Sequence, residues 1–115
     1  QAISVQAVTL DGFFKDKSLI PDVIKIDVEG AEMKVLNETQ KILESGNVKL
    51  FVEVHPVRLK LKFQSSANAV ISILMDNGYN VFEIKNMRRH SKEISLKKLN
   101  RESRLIFNTM LYAYG

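Results

Sequence analysis

Two short apolar runs limit what this chain can fold into. Val23-Ile24-Lys25-Ile26-Asp27-Val28 and Leu50-Phe51-Val52-Glu53-Val54 are dominated by β-branched and aromatic side chains, the composition of strands covered on both faces in a parallel sheet. Between them, Val35, Leu36, Thr39, Ile42 and Leu43 recur at helical spacing in a segment that Glu29-Gly30-Ala31-Glu32 opens and Gly46 is placed to end. A strand, a helix and a strand in that order make a crossover unit, whose two strands run parallel. The second run stops at His55-Pro56, because proline has no N–H to give to a ladder.

The flanking segments extend this pattern. Ala2 to Val8 alternates, with Ile3, Val5 and Ala7 on one side and Ser4 and Gln6 on the other, and is expected to be a half-buried strand. Thr9 is placed to cap a helix reaching Lys17, with Asp11 in its first turn and Pro21 beyond its end. Ser65 or Ser66 caps a second helix, whose Ala67, Val70, Ile71, Leu74 and Met75 form one apolar stripe ending before Gly78. Strands are expected over Tyr79 to Lys85 and Leu105 to Ala113, with the polar connection between them returning the chain antiparallel. Within that connection only Ile94, Leu96 and Leu99 hint at periodicity. The alternation of strands and helices predicts an α/β fold. No repeat or Gly/Ser linker gives a second domain a place to begin, so residues 1–115 are read as one domain.

Composition narrows the partners. The net charge of +4 gathers in Lys85, Arg88, Arg89, Lys92, Lys97, Lys98, Arg101 and Arg104. An anionic partner such as nucleic acid would suit that stretch, but Glu93 and Glu102 interrupt it and no aromatic lies inside it for base stacking, so a solvated surface is expected instead. Cysteine is absent, which removes disulfides and thiolate chemistry. No apolar run approaches the roughly 20 residues of a membrane span and no signal-peptide pattern opens the chain. A soluble cytoplasmic protein with no membrane partner is the expectation.

The ends of the two central strands carry the chemistry. In open parallel sheets the ligand crevice lies beyond the strand C-termini. Asp27, Glu29 and Glu32 leave the first central strand and His55 leaves the second, so the four can meet if the chain turns at Gly30. Helix capping alone would account for Glu32, and a histidine satisfied by backbone would account for His55. Capping does not account for Asp27, a charge at the end of an apolar strand, where desolvation is costly without a partner or ligand. There is no phosphate-binding glycine loop, no serine-hydrolase elbow and no histidine pair at zinc spacing, so no metal-ligand set is assigned from spacing.

The string from Pro21 to Glu32, PDVIKIDVEGAE, followed by Val35-Leu36, resembles the signature of FkbM-type methyltransferases. Val8-Thr9-Leu10-Asp11 upstream and Val52-Glu53-Val54-His55-Pro56 downstream resemble flanking segments of that family in matching order, so the likeness covers about residues 3 to 56. It implies a partial Rossmann-like class I methyltransferase sheet, with parallel central strands and a C-terminal antiparallel pair. It also implies transfer of a methyl group from S-adenosylmethionine to a small-molecule hydroxyl, on a sugar or secondary metabolite. On this likeness Asp27, Val28, Glu29 and Gly30 border the cofactor, and Glu32 and Glu53 face the substrate. Asp27, Glu29 and His55 are the catalytic candidates, with a carboxylate accepting the hydroxyl proton or holding a divalent cation that acidifies it. The family's glycine-rich cofactor turn has no counterpart here, so the chain is expected to be the C-terminal portion of a methyltransferase domain. The strand edge that the preceding strands would cover must then be paired by a longer chain, by Ala2 to Val8, or by a second copy in a homo-oligomer. A non-catalytic α/β interaction domain that self-associates through this edge is the alternative.

Overall fold

In a computed structural model describing residues 2–115, the central crossover unit forms as its sequence dictates. Strand β1 (Val23–Ile26) and strand β2 (Lys49–Val54) pair in parallel, with Ile24 opposite Leu50 and Ile26 opposite Val52. Helices α2 (Glu32–Asn37) and α3 (Gln40–Ser45) connect them, and α1 (Leu10–Phe14) precedes them. After β2 come α4 (Pro56–Phe63), α5 (Ala67–Asp76), β3 (Asn80–Lys85), β4 (Ser95–Lys98) and β5 (Thr109–Tyr114). The five strands form one mixed sheet in the order β1-β2-β5-β3-β4. The last strand enters between β2 and β3 and runs antiparallel to both, so the pairing expected of the final two strands is present as β3 with β5.

Burial follows the alternation of β2. Leu50, Val52 and Val54 are wholly buried in one core with Leu36, Leu43, Leu59, Val70, Ile71 and Leu74. The opposite face carries half-exposed rings instead of a second packed layer, with Phe51 and Tyr112 centroids 5.0 Å apart and Phe82 stacked on Tyr114 at 5.7 Å. The expectation of strands covered on both faces is thus corrected: among the described residues the full apolar core lies on one side.

Several sequence expectations change in the structure, each for a local reason. Ala2 to Val8 forms no strand and leaves Ile3 and Val5 exposed, because alternation makes a strand only where a neighbouring edge takes its hydrogen bonds. The outer edge of β1 therefore has no paired strand among the described residues. The Thr9 cap does form, its hydroxyl accepting from Gly12 N–H at 2.9 Å, but the helix ends at Phe14 because Lys15, Asp16 and Lys17 offer no apolar face. The expected long helix after β1 is two helices. Thr39 donates its hydroxyl to the Val35 carbonyl and its own N–H goes to Leu36, three residues back, which tightens and interrupts the turn. Asp11 then caps the restarted helix α3, accepting from Lys41 N–H at 3.1 Å and Ile42 N–H at 3.3 Å. Ser66, of the two cap candidates, caps α5 through Ala69 N–H at 3.1 Å. Helix α4 and strand β4 were not anticipated, and the final strand starts at Thr109, since Ile106 and Phe107 stay exposed. Among the described residues no helix is long and apolar enough to cross a membrane.

One core side chain carries a defect. Tyr79 is buried and its hydroxyl has no hydrogen-bond partner among the described residues. Burial also raises the phenol pKa above its ordinary value of 10.0. A raised folded-state pKa means stability that is present below about pH 10 and lost as pH climbs through the folded value. Tyr79→Phe removes both the orphaned group and that alkaline loss. It is expected to raise the unfolding free energy by roughly 1 kcal/mol at neutral pH and to flatten the decline above pH 10, as measured by urea titration across pH.

Candidate active site

Parallel pairing of β1 and β2 brings their C-terminal ends side by side. Beyond β1 the backbone turns through two positive-φ residues, Glu29 at 54° and Gly30 at 107°, before α2 begins at Glu32. This turn sends Asp27 and Glu29 to the side where His55 leaves β2. A Cβ on Gly30 would stand 2.8 Å from the Arg58 Cβ and 3.1 Å from the Phe63 ring, so α4 closes directly over the turn.

His55 is the centre of the arrangement and is 2% exposed. It donates Nδ1–H to Glu32 Oε1 at 2.6 Å, and the same oxygen accepts the Gly30 N–H at 2.9 Å. The donor assignment follows from chemistry, because a carboxylate oxygen carries lone pairs and no proton to offer the ring. Glu32 is fully buried, and its second oxygen has no partner among the described residues. On the other side of the ring, Nε2 looks toward Asp27 Oδ1 at 3.6 Å, Glu29 Oε2 at 3.8 Å and Glu53 Oε2 at 3.8 Å. These separations exceed a hydrogen bond. Two arginines stand at the rim: Arg58 Nε lies 3.3 Å from Glu29 Oε2, and Arg88 donates to Glu53 Oε1 at 3.2 Å.

The structure thus gathers Asp27, Glu29, Glu32, Glu53 and His55 in one place, with Gly30 buried at the turn and Val28 partly exposed beside it. Glu32 does sit in the first turn of its helix, yet its carboxylate is committed to His55 and to the Gly30 N–H, and His55 is satisfied by that carboxylate rather than by backbone. Arg58 escaped sequence reading, and Arg88 is expected there only as part of a solvated basic stretch. Arg58 lies three residues after His55, one turn away on a helix, and this relation is visible only once α4 is recognised. Glu53 also borders a cleft of about 420 Å³ at the ends of β2 and β3 and the start of β5, lined further by Lys85, Arg88, Arg89, Thr109 and Met110.

The comparison with known families decides which lineage built this site. A sequence profile described as Methyltransferase FkbM domain matches residues 1–81. The chain belongs to the FkbM methyltransferase family. No curated protein and no protein of solved structure matches it. The FkbM match reaches past the strings around Asp27 and His55 into β3, and contains all five clustered residues. Arg88, β4 and β5 lie beyond it.

Proposed function

We propose that this chain forms the acceptor side of an S-adenosylmethionine-dependent O-methyltransferase site, acting on a hydroxyl of a sugar or secondary metabolite. The observation that carries the reading is the buried Glu32–His55 pair, which leaves Nε2 free to take a proton at the ends of the two parallel strands. Membership of the FkbM family supports methyl transfer. The insertion of β5 antiparallel between β2 and β3, beside the parallel pair β1 and β2, accords with a Rossmann-like class I methyltransferase sheet.

S-adenosylmethionine supplies an electrophilic methyl group when bound. The residues present fit part of what that cofactor needs. Asp27, Val28, Glu29 and Gly30 form a sharp acidic turn suited to a cationic sulfonium and ammonium, whereas no glycine-rich turn stands among the described residues to take an anionic carboxylate. The cleft beside Glu53 falls within the roughly 300–1,000 Å³ of small-molecule sites and would receive the acceptor. In this reading Glu32 fixes the tautomer of His55, Nε2 accepts the hydroxyl proton, and Asp27, Glu29 and Glu53 stabilise the positive charge that the ring then carries.

Labelled-methyl transfer to a panel of sugar and polyketide hydroxyls tests this. Transfer is expected, and His55→Ala should lower its rate by about 10²–10⁴-fold, the usual contribution of a positioned base. Transfer at an unchanged rate in that variant, or to no hydroxyl at all, would sink the reading. A second reading, a non-catalytic interaction domain, is favoured by the unpaired outer edge of β1, where Val23 is 53% exposed. It requires concentration-dependent dimerisation in sedimentation, abolished by Ile24→Pro.

A further inference from the structure

The same corner has the chemistry of a divalent cation site. One ligand atom from each of Asp27, Glu29 and His55 can be chosen so that all three lie within 4.8 Å of one another. Acidic groups gather on many protein surfaces without holding an ion, so the histidine decides the matter. Its side chain is 3% exposed, and its Nε2 has no hydrogen-bond partner among the described residues. With Nδ1 bonded to Glu32, the ring turns Nε2 toward three carboxylates. Carboxylates gathered around one nitrogen at distances too wide for a hydrogen bond repel one another, unless a positive charge lies between them.

A metal ion is that charge. Ligands held at roughly 2.1–2.4 Å from one ion stand about 3.0–3.9 Å apart when adjacent, and Nε2 lies 3.6 Å from Asp27 Oδ1 and 3.8 Å from Glu29 Oε2. Glu32 completes the pattern. A carboxylate that accepts the second ring N–H of a metal-ligating histidine fixes its tautomer and raises its basicity. The geometry points to a site for a first-row divalent cation such as Mn²⁺ or Zn²⁺, ligated by Asp27, Glu29 and His55, with Glu32 as the positioning residue behind the histidine. One imidazole with two carboxylates favours these ions over Mg²⁺ and Ca²⁺, which prefer all-oxygen shells. Arg58 opposes the ion, because its guanidinium already sits 3.3 Å from Glu29 Oε2.

An ion on Nε2 and the proton taken up there in the proposed transfer exclude each other, so the site is tested in the resting chain, apart from the proposed activity. Mn²⁺ alone is titrated into the full chain while the NMR signals of His55 are followed. One ion is expected to bind with a sub-millimolar Kd and to broaden the His55 ring resonances first. His55→Ala should weaken binding at least tenfold. Glu32→Gln keeps an acceptor for the Gly30 N–H but presents an N–H to the ring, which reverses the tautomer, and it should weaken binding by about 10–100-fold. Arg58→Ala, at a half-exposed side chain that the core does not need, should tighten binding several-fold. A purely structural role for Glu32 or Arg58 predicts no change in Mn²⁺ affinity in a folded variant. Absence of one-site binding below about 1 mM, or an affinity that neither Glu32→Gln nor Arg58→Ala moves, overturns the assignment.

Discussion

Glu32→Ala is expected to lower the unfolding free energy by about 2–5 kcal/mol, one of the two largest losses for a single change in this chain. Glu32 is wholly buried, and one of its oxygens holds both the Gly30 N–H and His55 Nδ1–H. Alanine leaves two buried donors without an acceptor and opens a void beside α2. The gain that offsets this is small: the unpartnered second oxygen of Glu32 is itself a cost of the native state, and the substitution removes it. Glu32→Gln separates structure from chemistry. Its amide oxygen can still accept from Gly30 while its NH₂ faces the ring, so most of the stability should return, while proton transfer at Nε2 should not. Urea denaturation of both variants, together with the transfer assay, reads the two effects apart.

Gly30→Ala should cost a similar amount, about 2–5 kcal/mol, from two sources of comparable size. A φ of 107° lies outside even the left-handed helical region, so any L-residue there is strained. The added methyl would also stand 2.8 Å from the Arg58 Cβ, an atom fixed to the backbone of α4 that cannot swing aside. The turn and α4 must therefore part, and the Asp27–Glu29–His55 corner opens with them. Gly78→Ala is the comparison. Its φ is 83°, but nothing lies within 4 Å of the new methyl, so only the backbone term of about 1–2 kcal/mol remains. Equal losses at the two glycines would mean that α4 does not press on the turn.

These two positions also show how much of the molecule its sequence discloses. The runs 23–28 and 50–54 are apolar for a reason that no local alternative competes with, and so β1, β2 and their parallel pairing could be read directly. The stripe from Ala67 to Met75 is equally unambiguous and became α5. What could not be read depends on partners distant in sequence. Ala2 to Val8 has the alternation of a strand, but no edge pairs with it among the described residues. Strand β4 has no buried face and is defined only by its ladder with β3. Thr39 fits the helical stripe, and its bonds to the Val35 and Leu36 carbonyls, which accompany the break, are visible only in the fold. Helix α4 did leave a sign, Pro56 at its first turn, which doubles as a strand terminator and was read as that alone.

The candidate site was more legible than the fold around it. Strand ends are where open parallel sheets place ligands, and Asp27, Glu29, Glu32, Glu53 and His55 all lie within or just beyond the two most readable strands. Which carboxylate serves the histidine was not legible. The sequence singles out Asp27 as a catalytic candidate and names no partner for His55, whereas the structure gives the short bond to Glu32 and leaves Asp27 on the far side of the ring. That assignment needs the positive-φ turn at Glu29 and Gly30, which brings the start of α2 back beneath the end of β2.

If the strand-end corner takes the cofactor, the cofactor's product must also bind there. A ¹H–¹⁵N NMR titration with S-adenosylhomocysteine, carried to millimolar concentration so that weak binding is visible, addresses this directly. Saturable shifts are expected, concentrated at Asp27, Val28, Glu29, Gly30 and His55 and lost when Asp27 and Glu29 are both replaced by alanine. Shifts confined to the basic stretch from Lys85 to Arg104, or no saturable shift anywhere, would contradict cofactor binding at the corner.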